Sequence, residues 1–121
     1  MKASERIICA LDLDEPAKAW QMVESLAGRI SFYKVGMLLY LAGGGEMVRH
    51  LTGQGHRVFL DLKFYDVPDT VAAAVRQAAT MGVNFLTVHG NKEILQRAGE
   101  AAAGTGLKVL GVTVLTSLPP A

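Results

Sequence analysis

Five short apolar, β-prone runs recur along the chain, and an amphipathic helical pattern separates each from the next. The runs fall at residues 6–12, 31–36, 58–62, 84–89 and 108–114, a repeat of about 25 residues. The helical patterns have readable ends. Asp14, Glu15 and Pro16 open the first, Trp20, Val23, Leu26 and Ala27 follow at helical spacing, and Gly28 closes it. The second covers roughly 37–51 and is interrupted by Gly43-Gly44-Gly45. The third covers 68–81, with Val71, Ala74, Val75, Ala78 and Met81 inward and Gly82 as its stop; the fourth covers 92–103. Strand–helix alternation at this spacing predicts βα units joined by right-handed crossovers into a parallel sheet, an α/β fold.

Two architectures meet that description. A doubly wound nucleotide-binding sheet calls for a glycine-rich first turn, and no Gly-x-Gly-x-x-Gly follows the first strand. A (β/α)8 barrel fits better. On one face the strands are apolar, as if covered by helices: Val58, Leu60, Leu62; Leu86, Val88; Leu110, Val112, Val114. The other face grows polar toward the strand end: Ala10 then Asp12, Phe32 then Lys34, Phe59 then Asp61 and Lys63, Phe85 then Thr87 and His89. Barrel active sites lie at that C-terminal mouth. A full barrel takes about 250 residues, so residues 1–121 are expected to be one partial barrel domain: the N-terminal part, truncated after the fifth strand. The first and fifth strands would then be free edges.

Composition narrows the function classes. A net charge of +1 gives no basic footprint for nucleic acid. The apolar run after the polar N-terminus is short and broken by Asp12, which predicts neither a signal peptide nor a membrane span. Cys9 is the single cysteine and cannot form an internal disulfide, so a reducing cytoplasm is expected. Cys9 and the scattered His50, His56 and His89 show no metal-ligand spacing. The glycine triplet lacks the spacing of a phosphate loop and reads as a turn or helix start. Ser117 has no visible base partner, His89 reads as structural, and His50 and His56 read as surface or turn residues.

The densest chemistry is at 57–70. Asp61 and Lys63 stand two apart in a strand and so share a face. Asp66 follows in the turn, and Pro68 is placed to open the next helix. Charges at the end of a buried strand are costly unless paired. The residues alone leave two readings open: a structural ion pair with Asp66 as a helix cap, or a charged site. The same holds for Asp12, which could cap a turn, and for Lys34, which could be a barrel-mouth ion pair.

The run Asp61-Leu62-Lys63-Phe64-Tyr65-Asp66-Val67-Pro68-Asp69-Thr70 resembles the Asp-x-Lys-x-x-Asp-(Ile/Val)-Pro-x-Thr signature of the orotidine 5′-monophosphate decarboxylase family. The likeness extends to Ala10-Leu11-Asp12-Leu13, Tyr33-Lys34-Val35-Gly36, Val88-His89 and the run from Val112 to Ser117, and covers about half the family's length. It implies a (β/α)8 barrel that converts orotidine 5′-monophosphate to UMP, with neither metal nor organic cofactor. By the resemblance, Lys34, Asp61, Lys63 and Asp66 form a charge network at the pyrimidine, with Lys63 stabilising and protonating the C6 carbanion. Asp12 and Lys34 would bind ribose hydroxyls, and Thr116 would lie beside the base. Asp66 and Thr70 would reach the site of the other subunit in a homodimer. The phosphate would be held by segments late in the barrel, beyond this stretch. Sister sugar-phosphate enzymes such as hexulose-6-phosphate synthase share the Asp-x-Lys-x-x-Asp core, but use magnesium and carry glutamate in place of Lys34. An inactive, self-associating half-barrel is the remaining alternative.

Overall fold

In the computed structural model, which describes residues 2–118, strands Cys9–Ala10 (β1), Phe32–Gly36 (β2), Arg57–Phe64 (β3), Phe85–His89 (β4) and Lys108–Val112 (β5) form one sheet. All neighbours are parallel and the spatial order is the chain order, β1-β2-β3-β4-β5. A doubly wound sheet would reverse its order at a switch point. An order that never reverses, with a helical segment after each of the first four strands, is that of the N-terminal part of a (β/α)8 barrel. Only two residues of the predicted 6–12 strand pair as β1, and the Leu11 amide extends the ladder by donating to the Lys34 carbonyl at 2.9 Å.

The helices start where their first residues dictate. Pro16 opens α1 (Pro16–Ser25) and Pro68 opens α4 (Pro68–Thr80), positions where a missing N–H costs nothing. Asn91 caps α5 (Lys92–Ala102), its Oδ1 accepting from the amides of Glu93 and Ile94. Between β2 and β3 the helical stretch is interrupted where expected: Met37–Leu39 (α2) passes through a π-helical turn, Tyr40–Gly44, into α3 (Gly45–Gly53). Gly43 makes the break at φ 112°, a conformation that favours glycine.

The core lies between the helices and one face of the sheet. Tyr33, Val35, Val58, Leu60, Leu86 and Val88 are buried from the strands, against Leu39, Met47, Leu51, Val71, Val75 and Ile94. On the opposite, inner face the N-terminal ends of the strands are closed by aromatics: Phe32 stacks on Phe85 at 5.7 Å, and the Arg57 guanidinium lies 4.7 Å over the Phe32 ring. Charged side chains occupy the other end of that face.

The fifth strand corrects the sequence reading. Leu110, Val112 and Val114, expected under the helices, belong to the inner face. Leu110 pairs with Thr87 and Val112 with His89, while Leu107 and Val109 pack into the helix-side core. Alternation favoured Leu110, Val112 and Val114 over Val109, Gly111 and Thr113 as the helix-covered face, but the pairing with β4 sets the opposite side. Gly111 marks the helix side, because Leu95 Cδ2 lies 2.7 Å from where its Cβ would be. The loop expected at 116–120 begins as a turn, with the Leu118 amide donating to the Leu115 carbonyl at 3.0 Å; Pro119 and Pro120 lie outside the described residues.

The glycine triplet yields a test. A Cβ on Gly44 would stand 2.7 Å from the Leu39 carbonyl oxygen, whereas one on Gly45 would meet the Tyr40 hydroxyl at an ordinary 3.7 Å. Gly44→Ala is expected to destabilise by about 1–3 kcal/mol, and Gly45→Ala to be neutral or stabilising by up to about 1 kcal/mol. Parallel thermal melts check the contrast, and equal shifts would contradict it.

Candidate active site

At the mouth, consecutive strands contribute consecutive charges. Asp12 follows β1, Lys34 is on β2, and Asp61 and Lys63 are on β3. Lys34 Nζ lies 4.0 Å from Asp12 Oδ1 and 3.8 Å from Asp61 Oδ2. Lys63 Nζ donates to Asp61 at 2.9 Å (Oδ1) and 3.0 Å (Oδ2). The row Asp12–Lys34–Asp61–Lys63 therefore alternates in sign within one chain. Its exposure is graded: the Asp61 side chain is 13% exposed, Lys34 27%, Lys63 42% and Asp12 67%.

The backbone under Lys63 is unusual. It is the one non-glycine with positive φ among the described residues, at 49°. There the β3–β4 register slips: Leu60 pairs with Leu86, but the next pair is Phe64 with Val88. Such a bulge leaves residues without ladder partners and re-aims their side chains. The Lys63 amide donates instead to Thr87 Oγ1 at 3.0 Å, and that hydroxyl donates to Asp61 Oδ1 at 2.7 Å. Strict alternation foresaw Asp61 and Lys63 on one face, and they do meet, but through a bulge.

Asp61 titrates under opposing influences. Burial pushes its carboxyl up; hydrogen bonds from Lys63 and Thr87 and the charges of Lys63 and Lys34 pull it down, and the net direction is down. The lone thiol, Cys9, is half-buried and moves the other way: burial raises its pKa, and Asp12 adds to the rise, so it is no activated nucleophile.

Lys34, Asp61 and Lys63 divide two clefts. One, of about 470 Å³, is lined also by Asp12, Gly36 and Met37. The other, of about 540 Å³, is lined also by Thr87, Val112, Leu115 and Thr116, which brings Thr116 into the neighbourhood of the charges. Asp66 and Thr70 stand apart from this row. Asp66 is exposed, its Oδ1 accepting from the Val67 amide at 2.6 Å, and it borders a separate depression with Asn91 and Glu93. Val67, not Asp66, is the N-cap of α4, and Thr70 is exposed in that helix's first turn. His89 rests edge-on against Tyr65 at 4.5 Å, His50 against Trp20 at 4.5 Å and His56 against Tyr33 at 5.4 Å.

Thr87 is the residue that sequence reasoning did not single out for the site. It was legible only as one polar position on the inner face of the fourth strand. Its value depends on the slipped register, which no periodicity encodes. Among the described residues, no three His, Cys, Asp or Glu side chains are grouped to hold a metal ion, and no helix is long and apolar enough to cross a membrane.

Comparison with known proteins relates nearly the whole chain to a family. The profile described as "Orotidine 5'-phosphate decarboxylase / HUMPS family" matches residues 5–120. The chain is 48% identical to orotidine 5'-phosphate decarboxylase of Afipia carboxidovorans, over 93% of this chain and 48% of that protein. It is 49% identical to that of Methylacidiphilum infernorum, over 92% of this chain and 49% of the relative. It superposes on the crystal structure of orotidine 5'-phosphate decarboxylase from Lactobacillus acidophilus with TM-score 0.85 at 35% identity, covering 93% of this chain and 55% of that one. An uncharacterized conserved protein from Geobacillus kaustophilus gives TM-score 0.84 at 36% identity, covering 93% and 56%. The chain spans about half the length of the curated relatives it matches.

The geometry makes a prediction about pH. Asp61 is expected to titrate below the ordinary aspartate range, and Lys63→Ala to move its midpoint up, as read by carbon NMR of the carboxyl. Because the folded-state pKa is the lower one, the stabilisation from this ionised group is complete above the unfolded value. It is lost as pH falls through the folded value. A midpoint that stays put in the variant would mean that the pair does not form in solution.

Proposed function

The chain belongs to the orotidine 5'-phosphate decarboxylase / HUMPS family, and from that premise we propose that its mouth cluster decarboxylates orotidine 5′-monophosphate to UMP, in the cytoplasm, in pyrimidine biosynthesis. The observation that carries the reading is Asp61, largely buried and contacted by both Lys34 and Lys63. In the reaction the C6–carboxylate bond breaks, carbon dioxide leaves, and the electron pair remains in an orbital orthogonal to the ring π system. No conventional electron sink reaches it. A fixed cation beside C6 does, and Lys63 supplies one. The Lys63 ammonium then gives its proton to C6 and completes UMP.

The other charges serve that lysine. Asp61 orients the Lys63 ammonium, and repels the substrate carboxylate until carbon dioxide departs. Lys34, between two carboxylates, helps keep Asp61 ionised and donates to ribose hydroxyls, while Asp12 accepts from them. Thr116, on the rim of the second cleft, lies beside the base. Asp66 and Thr70, exposed and outside the row, are proposed to complete the site of the partner in a homodimer. The sister magnesium reactions are disfavoured by Lys34 itself, since an ammonium between two carboxylates repels a divalent cation and cannot ligate one. We place the phosphate site on barrel segments beyond these 121 residues; its binding energy would be used in the transition state.

An ultraviolet assay of the full gene product with orotidine 5′-monophosphate tests the proposal. Conversion to UMP is expected, and Lys63→Ala should lower kcat by at least about 100-fold. No conversion, or an unimpaired variant, would overturn it. A chain limited to these 121 residues is expected to turn over poorly, and turnover matching a full-length relative would refute the placement of the phosphate site.

A further inference from the structure

Thr87 is the one polar residue among the described ones counted as buried, at 5% exposure, and it sits on β4, where the neighbouring ladder fails. A threonine hydroxyl offers one donor and two acceptor lone pairs. Here the donor goes to Asp61 Oδ1 at 2.7 Å, and one lone pair takes the Lys63 amide at 3.0 Å. Without that acceptor the Lys63 N–H would be left facing a partly buried bulge. A left-handed backbone at a lysine costs of order 1–3 kcal/mol and persists only where its surroundings over-determine it.

We propose that Thr87 is a positioning residue for the reaction: its hydroxyl stands in for the ladder partner lost at the bulge and fixes the Lys63 backbone and the Asp61 carboxylate relative to one another. The two bonds run through a single oxygen, so neither group can shift without the other. The Lys63 side chain is 42% exposed and its Asp61 partner 13%, so the more exposed member is held by the more buried one. A side chain placed for proton delivery needs its own support held by packing and hydrogen bonds. Thr87 supplies that support from the neighbouring strand, through the Lys63 amide and the Asp61 carboxylate. The catalytic part of this inference rests on the reading that Lys63 acts on C6; the structural part does not.

Thr87→Val keeps the shape and removes the hydroxyl, while Thr87→Ser keeps the hydroxyl. In the full gene product, Thr87→Val is expected to lower kcat by about ten- to a hundredfold with KM changed less than about threefold. Thr87→Ser should restore most of the loss. In residue-resolved amide hydrogen exchange, Thr87→Val should speed the Lys63 amide by about tenfold or more, leave Leu86 and Val88 protected, and be reversed by serine. Thr87→Ala repeats both measurements if the valine variant does not fold. Unchanged exchange at Lys63, an unchanged kcat, or a loss that serine does not restore would overturn the proposal. If the wild-type protein converts no orotidine 5′-monophosphate, the proposed reaction fails on its own. The exchange measurement then decides the structural role of Thr87 alone, with lost protection supporting it and retained protection refuting it.

Discussion

The largely buried carboxylate of Asp61 is the constraint that the mouth of this sheet is built to satisfy. An ionised group taken out of water costs several kcal/mol unless charges and donors replace its hydration. Asp61 meets that cost with contacts from three strands: Lys34 of β2, Lys63 of its own strand β3, and Thr87 of β4. Removing any one leaves the others to face a less compensated charge. The row behaves as a unit for this reason, and single contacts in it have no separable value.

Parallel pairing in chain order is what makes such a row possible. Side chains at matched register on adjacent strands share a face, so Lys34 beside Phe59 and Gly36 beside Asp61 stack the inner surface in levels. The lower levels are aromatic, with Phe32, Phe59 and Phe85 in contact, and the upper level is charged. Aromatic filling below removes water from beneath the charges, and lower effective dielectric strengthens every contact among them. The bulge at Lys63 is then a local departure with a use: it turns a lysine back toward a carboxylate two residues away in its own strand.

How much of this was legible in the sequence follows from the kind of signal each feature leaves. Strand positions showed in short apolar runs, and helix starts in Pro16 and Pro68, because those are local preferences. Asp12, Lys34, Asp61, Lys63 and Thr116 were legible as residues at strand ends, and their resemblance to a family gave them roles. The face of β5 was not legible, since alternation favoured the opposite side for Leu110 and Val112, and only pairing with Thr87 and His89 fixes it. Thr87 escaped for a related reason: its partners are set by a register slip between two strands about 25 residues apart in sequence, a tertiary event without local signature. Asp66 and Thr70 keep the roles that resemblance lends them, because exposure on one chain does not say what they meet on another.

The inner face carries one further tension. Leu110 is 39% exposed and Val114 66%, and both belong to the surface that also bears the charge row. In a closed barrel this surface is packed in layers. Whatever covers it, substrate or neighbouring barrel strands, removes water from apolar and charged groups in one step. Burying the apolar side chains is favourable at about 25 cal/mol per Å², whereas desolvating Lys34 and Lys63 opposes it. The balance turns on whether those lysines are already paired. Lys63 is held at 2.9 Å by Asp61, and Lys34 stands within 4.0 Å of two carboxylates, so part of the opposing cost is offset before closure. Preorganised charge is thus a condition for covering this face as well as for the chemistry proposed to occur beneath the cover.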